Sequence, residues 1–306
     1  MKGTYLGGLY EIDKNYDAVF FTEWDTRLAA ALELVQEKNL VGTDRYQIGE
    51  MFVGFATAPQ KSEGSEYDYY APQDGKNYSV QADIYKFAFK ATEELRDFGN
   101  TNQVMEYARL MAEIMDHTVK VNIYNLFNRA FDSNYPVAYD AVELCKTSHA
   151  LANGSTGSNR LGTDADLGET TVESMIELMI ATPNEDGAFI ARVPKLLVTA
   201  TNNWVKALQV TGSSQTTLQG VGESGRAVNA ITRAWNIQPH FSPYLTDTDA
   251  SFLIADKSPL ALVWARRPEL KSVYVDEKTD DWIWRLKAQF VTVADTWRGI
   301  VGTSGI

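Results

Sequence analysis

The chain has 306 residues, of which 44% are hydrophobic, enough for one large domain or two modest ones. Its 40 acidic side chains outnumber 28 basic ones, giving a formal charge of −12, and the first 20 residues set Lys2 and Lys14 against Glu11, Asp13 and Asp17, which excludes a basic nucleic-acid arm and attraction to an anionic membrane. No apolar run reaches the ~18 residues of a membrane span, the amino terminus lacks the unbroken apolar core of a signal peptide, and the lone cysteine, Cys145, rules out an intrachain disulfide and suits a reducing compartment.

Nearly twenty residues with little pattern open the chain and read as an extended arm. In "FTEWDTRLAAALELVQEKNL", Thr22 is placed to cap a helix, with Asp25 three residues on, and Trp24, Leu28, Ala31, Leu32 and Val35 fall on one face. "YQIGEMFVGFA" (46–56) and "YSVQADIYKFAFKA" (78–91) are rich in strand-forming residues, and the two glycines of the first suit a twisted or bulged strand. The 21 residues between them, "TAPQKSEGSEYDYYAPQDGKN", exceed the ~12–15 beyond which an unstructured loop is usually functional or disordered, and the flanking strands predict a long projecting β-hairpin.

In "TNQVMEYARLMAEIMDHTVKVNIYNLFNRAF" (101–131), Val104, Ala108, Met111, Met115 and Val119 repeat at helical spacing. About thirty residues at 1.5 Å each predict a helix of ~45 Å, a spine along which other elements pack. Residues 145–169 are loop. "TTVESMIELMIATP" then opens with Thr170 and Glu173 in capping-box register and stops at Pro183. "DG" at 186–187 marks a turn, "KLLVTA" a short buried strand, and "TNNWVKALQV" a helix capped by Thr201; a second Gly/Ser-rich loop covers 211–226.

Apolar runs at 252–255 and 260–264 flank the punctuation Ser258-Pro259. In "DWIWRLKAQFVTVADTWRGIVG", Trp282, Trp284, Leu286, Ala288 and Phe290 alternate with Ile283, Arg285, Lys287, Gln289 and Val291, a long strand with one apolar face.

Little in the sequence suggests chemistry. "GVGESG" (220–225) has the G-x-G-x-x-G spacing of a dinucleotide site, but polar "TGSSQTTLQ" stands where a buried strand is required, so a surface loop is expected. His117, His149 and His240 have no metal-ligand spacing, and the acid runs "TDTD" (246–249) and "DEKTDD" (276–281) depart from the calcium-loop pattern and read as turns or solvated faces. Cys145 has no base partner in sequence. No catalytic, cofactor-binding or metal site is expected.

The order of elements nevertheless resembles the major capsid proteins of tailed phages, and in its second half the Mu-like major head subunits. The resemblance is carried by "PKLLVTATNNWVKALQV" (194–210), "RAWNIQPHFSPYLTDTDASFLIADKSPL" (233–260) and "WRLKAQFVTVADTWRGIVG" (284–302). It implies an α+β chain of HK97-like fold: an N-terminal arm and helix over 1–40, an extended hairpin loop over 41–92 lying across the neighbouring subunit, a peripheral domain with the spine helix and long strand over 93–140 and 259–306, and an α/β axial domain over 141–258. The implied function is self-assembly into hexamers and pentamers of an icosahedral shell enclosing double-stranded DNA without sequence-specific binding, assembled in the host bacterial cytoplasm.

Implied partners are other copies of the chain, a separate rather than fused scaffolding protein, a portal and, in some heads, decoration proteins; no cofactor, metal or membrane is implied. The acidic charge suits a wall along which packaged DNA slides. Lys61, Glu63, Glu66, Asp68, Asp74 and Lys76 of the hairpin are the expected intersubunit contacts. Two rival readings are an encapsulin-like nanocompartment shell, which shares the fold, and a nucleotide-dependent soluble enzyme, which rests on "GVGESG" alone.

Overall fold

The computed structural model describes residues 2–40, 46–53, 60–67, 69, 73–92, 101–136, 140–212 and 229–305. The first elements are α1 (Lys2–Leu32), β1 (Gln36–Asn39), β2 (Tyr46–Val53), β3 (Gln73–Gln81), β4 (Asp83–Ala91) and α2 (Thr101–Asn128). Next come β5 (His149–Ala150), β6 (Thr156–Gly157), α3 (Glu169–Ile180), β7 (Pro194–Ala200), α4 (Trp204–Gly212) and α5 (Ala230–Ala234). The chain ends in β8 (Gln238–Ser242), β9 (Ser251–Ala255), β10 (Leu260–Val275), β11 (Trp282–Ala294) and β12 (Ile300–Thr303). Two compact units divide it: Met1–Gln47, Gln81–Ile123 and Leu262–Thr292 form the first, and Ile48–Val80, Tyr124–Ala261 and Val293–Ile306 the second.

In the first unit, a sheet of order β1-β10-β11-β4 meets two helices. The alternation in β11 sends Trp282, Trp284, Leu286, Ala288 and Phe290 inward, each 7% exposed or less. Tyr16 of α1 stacks on Trp284 with ring centroids 4.9 Å apart, and its hydroxyl donates to Met111 Sδ of α2 at 2.8 Å. Ala108, Met111, Met115 and Val119 form the expected buried stripe of the long helix, which at 28 residues is ~42 Å long.

The opening residues differ from expectation: the arm expected to be extended is helical from Lys2 and continues into the predicted helix. Tyr16 and Phe20 continue the stripe of Trp24, Leu28 and Ala31 at intervals of four or three, and all five are 5% exposed or less. Burying these rings needs the helix, so Thr22 lies inside it and donates from Oγ1 to Ala18 O (2.8 Å) instead of capping it. The expected strand 78–91 is two strands broken at Ala82, whose carbonyl accepts from Gln289 Nε2 at 3.2 Å.

In the second unit the sheet runs β12-β9-β7-β8, with β7 and β8 parallel and the other neighbours antiparallel. Val172, Met175 and Met179 of α3, Ala207 and Val210 of α4, and Leu197, Leu253 and Val301 of the sheet make one core. Helix starts again depart from the sequence reading. Gly168 holds the N-cap position of α3 without a side-chain bond, placing Thr170 within the first turn, and a 3-10 turn at Thr201–Asn203 precedes α4 without a side-chain cap. The side-chain cap observed is Asn229, whose Oδ1 accepts from the amides of Ile231 (2.9 Å) and Thr232 (3.4 Å). The "DG" turn forms, with Gly187 at φ +88°.

Candidate assembly surfaces

The expected contact residues fall on the hairpin formed by the paired strands β2 and β3. Ser65 N donates to Ser62 O at 3.1 Å, closing a turn whose third residue, Gly64, has φ +81°, a value that a side chain would oppose. Lys61, Glu63 and Glu66 are exposed on this segment. Asp74 and Lys76 lie in β3, and Asp68 lies outside the described residues. The sequence reading named the charges here but passed over Tyr67 and Tyr69, which are 86% and 94% exposed. Two rings so placed bury nothing within the subunit; large rings of this kind are common anchors in protein interfaces.

A second surface lies on the outward face of the β10-β11-β4 sheet. Antiparallel register sets Lys287 opposite Lys86 and Arg285 opposite Ala88, and with Lys271 these residues line a groove of about 490 Å³. Arg266 above all, with burial, Lys86 and Lys271, depresses the Lys287 ammonium below the usual lysine range. Glu269 partly offsets the repulsion, pairing with Lys271 Nζ at 2.5 Å and Arg266 at 3.6 Å, and these contacts hold its carboxyl below the ordinary range. A chain of net charge −12 thus carries a concentrated basic face. The polar face of β11 was legible in sequence; its convergence with Lys86 and Lys271, on strands far away in the chain, was not.

His149 and His240 have side-chain partners within the subunit. His149 is fully buried, stacks on Trp297 at 4.3 Å, and lies 2.5 Å from Asp140 through Nδ1 and 2.9 Å from Asn159 Oδ1 through Nε2. Asn159 Nδ2 already donates to the carbonyls of Leu144 and Trp297, so Asn159 Oδ1 accepts from His149. His240 Nε2 pairs with the Tyr124 hydroxyl at 2.8 Å, and His117 lies exposed on α2. Burial pushes the Cys145 thiol well up, leaving it without thiolate character.

Asp247 Oδ1 accepts from the amides of Asp249 and Ala250, and Asp276 Oδ1 from that of Lys278, which makes both acid runs turn-forming. Among the described residues no cluster of His, Cys, Asp or Glu is arranged to hold a metal, and no helix is long and apolar enough to cross a membrane. The "GVGESG" segment lies outside the described residues.

Solved structures sharing this arrangement include the capsid of cyanophage P-SCSP1u (TM-score 0.59, 11% identity, 88% of this chain and 85% of that one). The capsid of Myoviridae phage XM1 is similar at TM-score 0.55 (9% identity, 91% and 92% covered), and a virus-like particle from Pyrococcus furiosus at 0.52 (9%, 95% and 98%). The fold is therefore the HK97-like capsid fold, of mixed helix and sheet. The phage capsid protein family model matches residues 77–302, and the chain belongs to that family. It is a major capsid protein, a structural component of a virion, and the family match favours this over the nanocompartment reading. No curated protein is similar enough to count as a relative.

Proposed function

We propose that this chain is the subunit of an icosahedral head of the Mu-like kind, assembling as hexamers and pentamers around double-stranded DNA. The observation that carries the reading is the family match over 77–302, which spans all three segments of the Mu-like resemblance. Residues 93–140 and 259–306 act as the peripheral domain, 141–258 as the axial domain, and 41–92 as a hairpin lying over a neighbour. Lys61, Glu63, Glu66, Asp68, Asp74 and Lys76 set register and specificity there, since rim charges contribute little affinity. A separate scaffolding protein and a portal act with it during assembly in the host cytoplasm, decoration proteins adding to the finished shell in some heads. The role is structural, without catalysis.

Negative-stain imaging of the purified protein, alone and expressed with its cognate scaffold, tests this. Shells, tubes or capsomers are expected. A discrete small oligomer that binds nucleotide overturns the reading.

A further inference from the structure

A two-stranded ribbon is marginally stable in water unless a third strand or a packing partner holds it. Among the described residues, β2 and β3 pair with each other and with no other strand. The ribbon is nonetheless part of the second unit, which takes in Ile48–Val80. One side chain at its root is placed to hold it there. Tyr78 of β3 packs against Leu151 and Trp297, and its hydroxyl donates to Asp295 Oδ1 at 2.6 Å, 217 residues away in sequence. Burial above all, then the Asp295 carboxylate, pushes the Tyr78 phenol well up, so it stays protonated and remains a donor.

The surface that Tyr78 meets is rigid. Trp297 is fully buried and stacked on His149 at 4.3 Å, and the Arg298 guanidinium lies 4.6 Å from its ring centroid. Gly157 borders it so closely that a Cβ there would come within 2.5 Å of the indole. The orientation at Tyr78 matters because the ribbon is a lever. A strand rises ~3.4 Å per residue, so a swing of roughly ten degrees at Tyr78 moves Gln73, at the start of β3, by about 3 Å, and the tip farther.

We propose that Tyr78 is a positioning residue: its bond to Asp295 latches the β2–β3 ribbon onto the Leu151–Trp297 platform and so presents the hairpin in the orientation that assembly requires. The assembly role rests on the reading that the chain builds a shell, whereas the latch is a property of the isolated subunit. A free ribbon loses orientational freedom when copies meet, and fixing it beforehand removes that penalty from the contact. Tyr78→Phe keeps the ring and deletes the hydroxyl. Losing a hydrogen bond to a carboxylate should lower the ratio of latched to freed ribbon by about tenfold or more.

Distances measured between two nitroxide labels test the latch in dissociated, full-length subunits. Gln60→Cys near the tip and Lys206→Cys on α4 carry the labels; both sites are exposed, and Cys145 is buried and stays unlabelled. Wild-type Tyr78 should give one narrow distance distribution. Tyr78→Phe and Asp295→Ala should each add a broad component, while Asp295→Asn, which keeps an acceptor oxygen, should stay narrow. The melting temperature of Tyr78→Phe should remain near wild type, because the ribbon is freed without unfolding either core. Shell yield with the cognate scaffold, measured in the unlabelled variants, should fall for Tyr78→Phe and Asp295→Ala and hold for Asp295→Asn.

An unchanged distribution in Tyr78→Phe, or a broad one with Tyr78 intact, overturns the latch. Equal broadening in Asp295→Asn and Asp295→Ala overturns the hydrogen bond as its cause. A freed ribbon with wild-type shell yield overturns the role in assembly. Failure of the wild-type chain itself to form capsomers or shells overturns the assembly reading instead, and the label distances still decide the latch.

Discussion

Arg298 donates from Nη2 to Glu185 Oε1 at 2.6 Å, and the two side chains are only 2% and 6% exposed. The pair is well satisfied. Arg298 Nε donates to Pro183 O at 2.7 Å, the guanidinium lies 4.6 Å from the Trp297 ring centroid, and Glu185 Oε2 accepts from Ala152 N at 2.7 Å. Removing one partner strands a buried charge, so Glu185→Leu should destabilise the subunit by about 3–5 kcal/mol. Adding Arg298→Met should recover most of that loss, because an apolar pair of similar volume avoids the desolvation cost. Urea unfolding of dissociated subunits measures both; equal stability of single and double variants would refute the coupling.

Met111 lies at the centre of the first unit, fully buried and accepting from the Tyr16 hydroxyl. Met111→Asp places a carboxylate there without a cation and should cost about 4 kcal/mol or more. Loss of soluble protein or a collapsed melting temperature is expected, and a normally melting variant would contradict the packing of α2.

Arg160 grips Asp164 through two nitrogens, at 2.5 and 3.2 Å, and this hydrogen bonding holds the Asp164 carboxyl below its usual 3.8 despite the opposing effect of burial. A carboxyl with a lowered folded pKa contributes stability that is fully present above the unfolded value and is lost as pH falls through the folded one. Asp164→Asn should therefore be less stable than wild type at neutral pH, by about 1 kcal/mol for a partly exposed pair. The difference should close as pH drops below 3.8. Thermal melts from pH 7 to pH 2 follow it (roughly the range over which a carboxylate titrates), and a pH-independent gap would show that the carboxylate's charge is not responsible.

The hairpin tip separates folding from assembly. Residues 60–67 are exposed throughout, so replacing 60–67 with a Gly-Asn-Gly turn removes no core and should leave the circular dichroism spectrum and melting temperature near those of wild type. Closed shells should nevertheless fail to form with the cognate scaffold. Shells of wild-type size from this variant would make the tip a passive loop.

Two elements were legible from sequence because their own periodicity determines which face is buried. Ala108, Met111, Met115 and Val119 state a helix, and Trp282 through Phe290 state a strand with one apolar face. The helical course of residues before Phe20 was less plain. Among the described side chains Tyr16 carries the stripe backward, and its burial depends on Trp284 and Met111, both far off in the chain. Helix starts were misplaced for a related reason. Threonine is a permissive cap, and Thr22 and Thr170 lost that role because packing set the helix boundary earlier.

The sequence by itself therefore determined the spine helix, the long strand β11 and, through three local segments, the capsid resemblance with the α+β class it implies. The helix and the strand depend on spacing within one stretch of chain. Only the tertiary structure decided the short strands β8 and β12, which exist through pairing with β7 and β9, and the buried Arg298–Glu185 pair. It also decided the basic face, where residues from 86 to 287 converge. Charge repulsion and ion pairing act through space, over a few ångströms, so no reading along the chain could sum them before the strands were laid side by side.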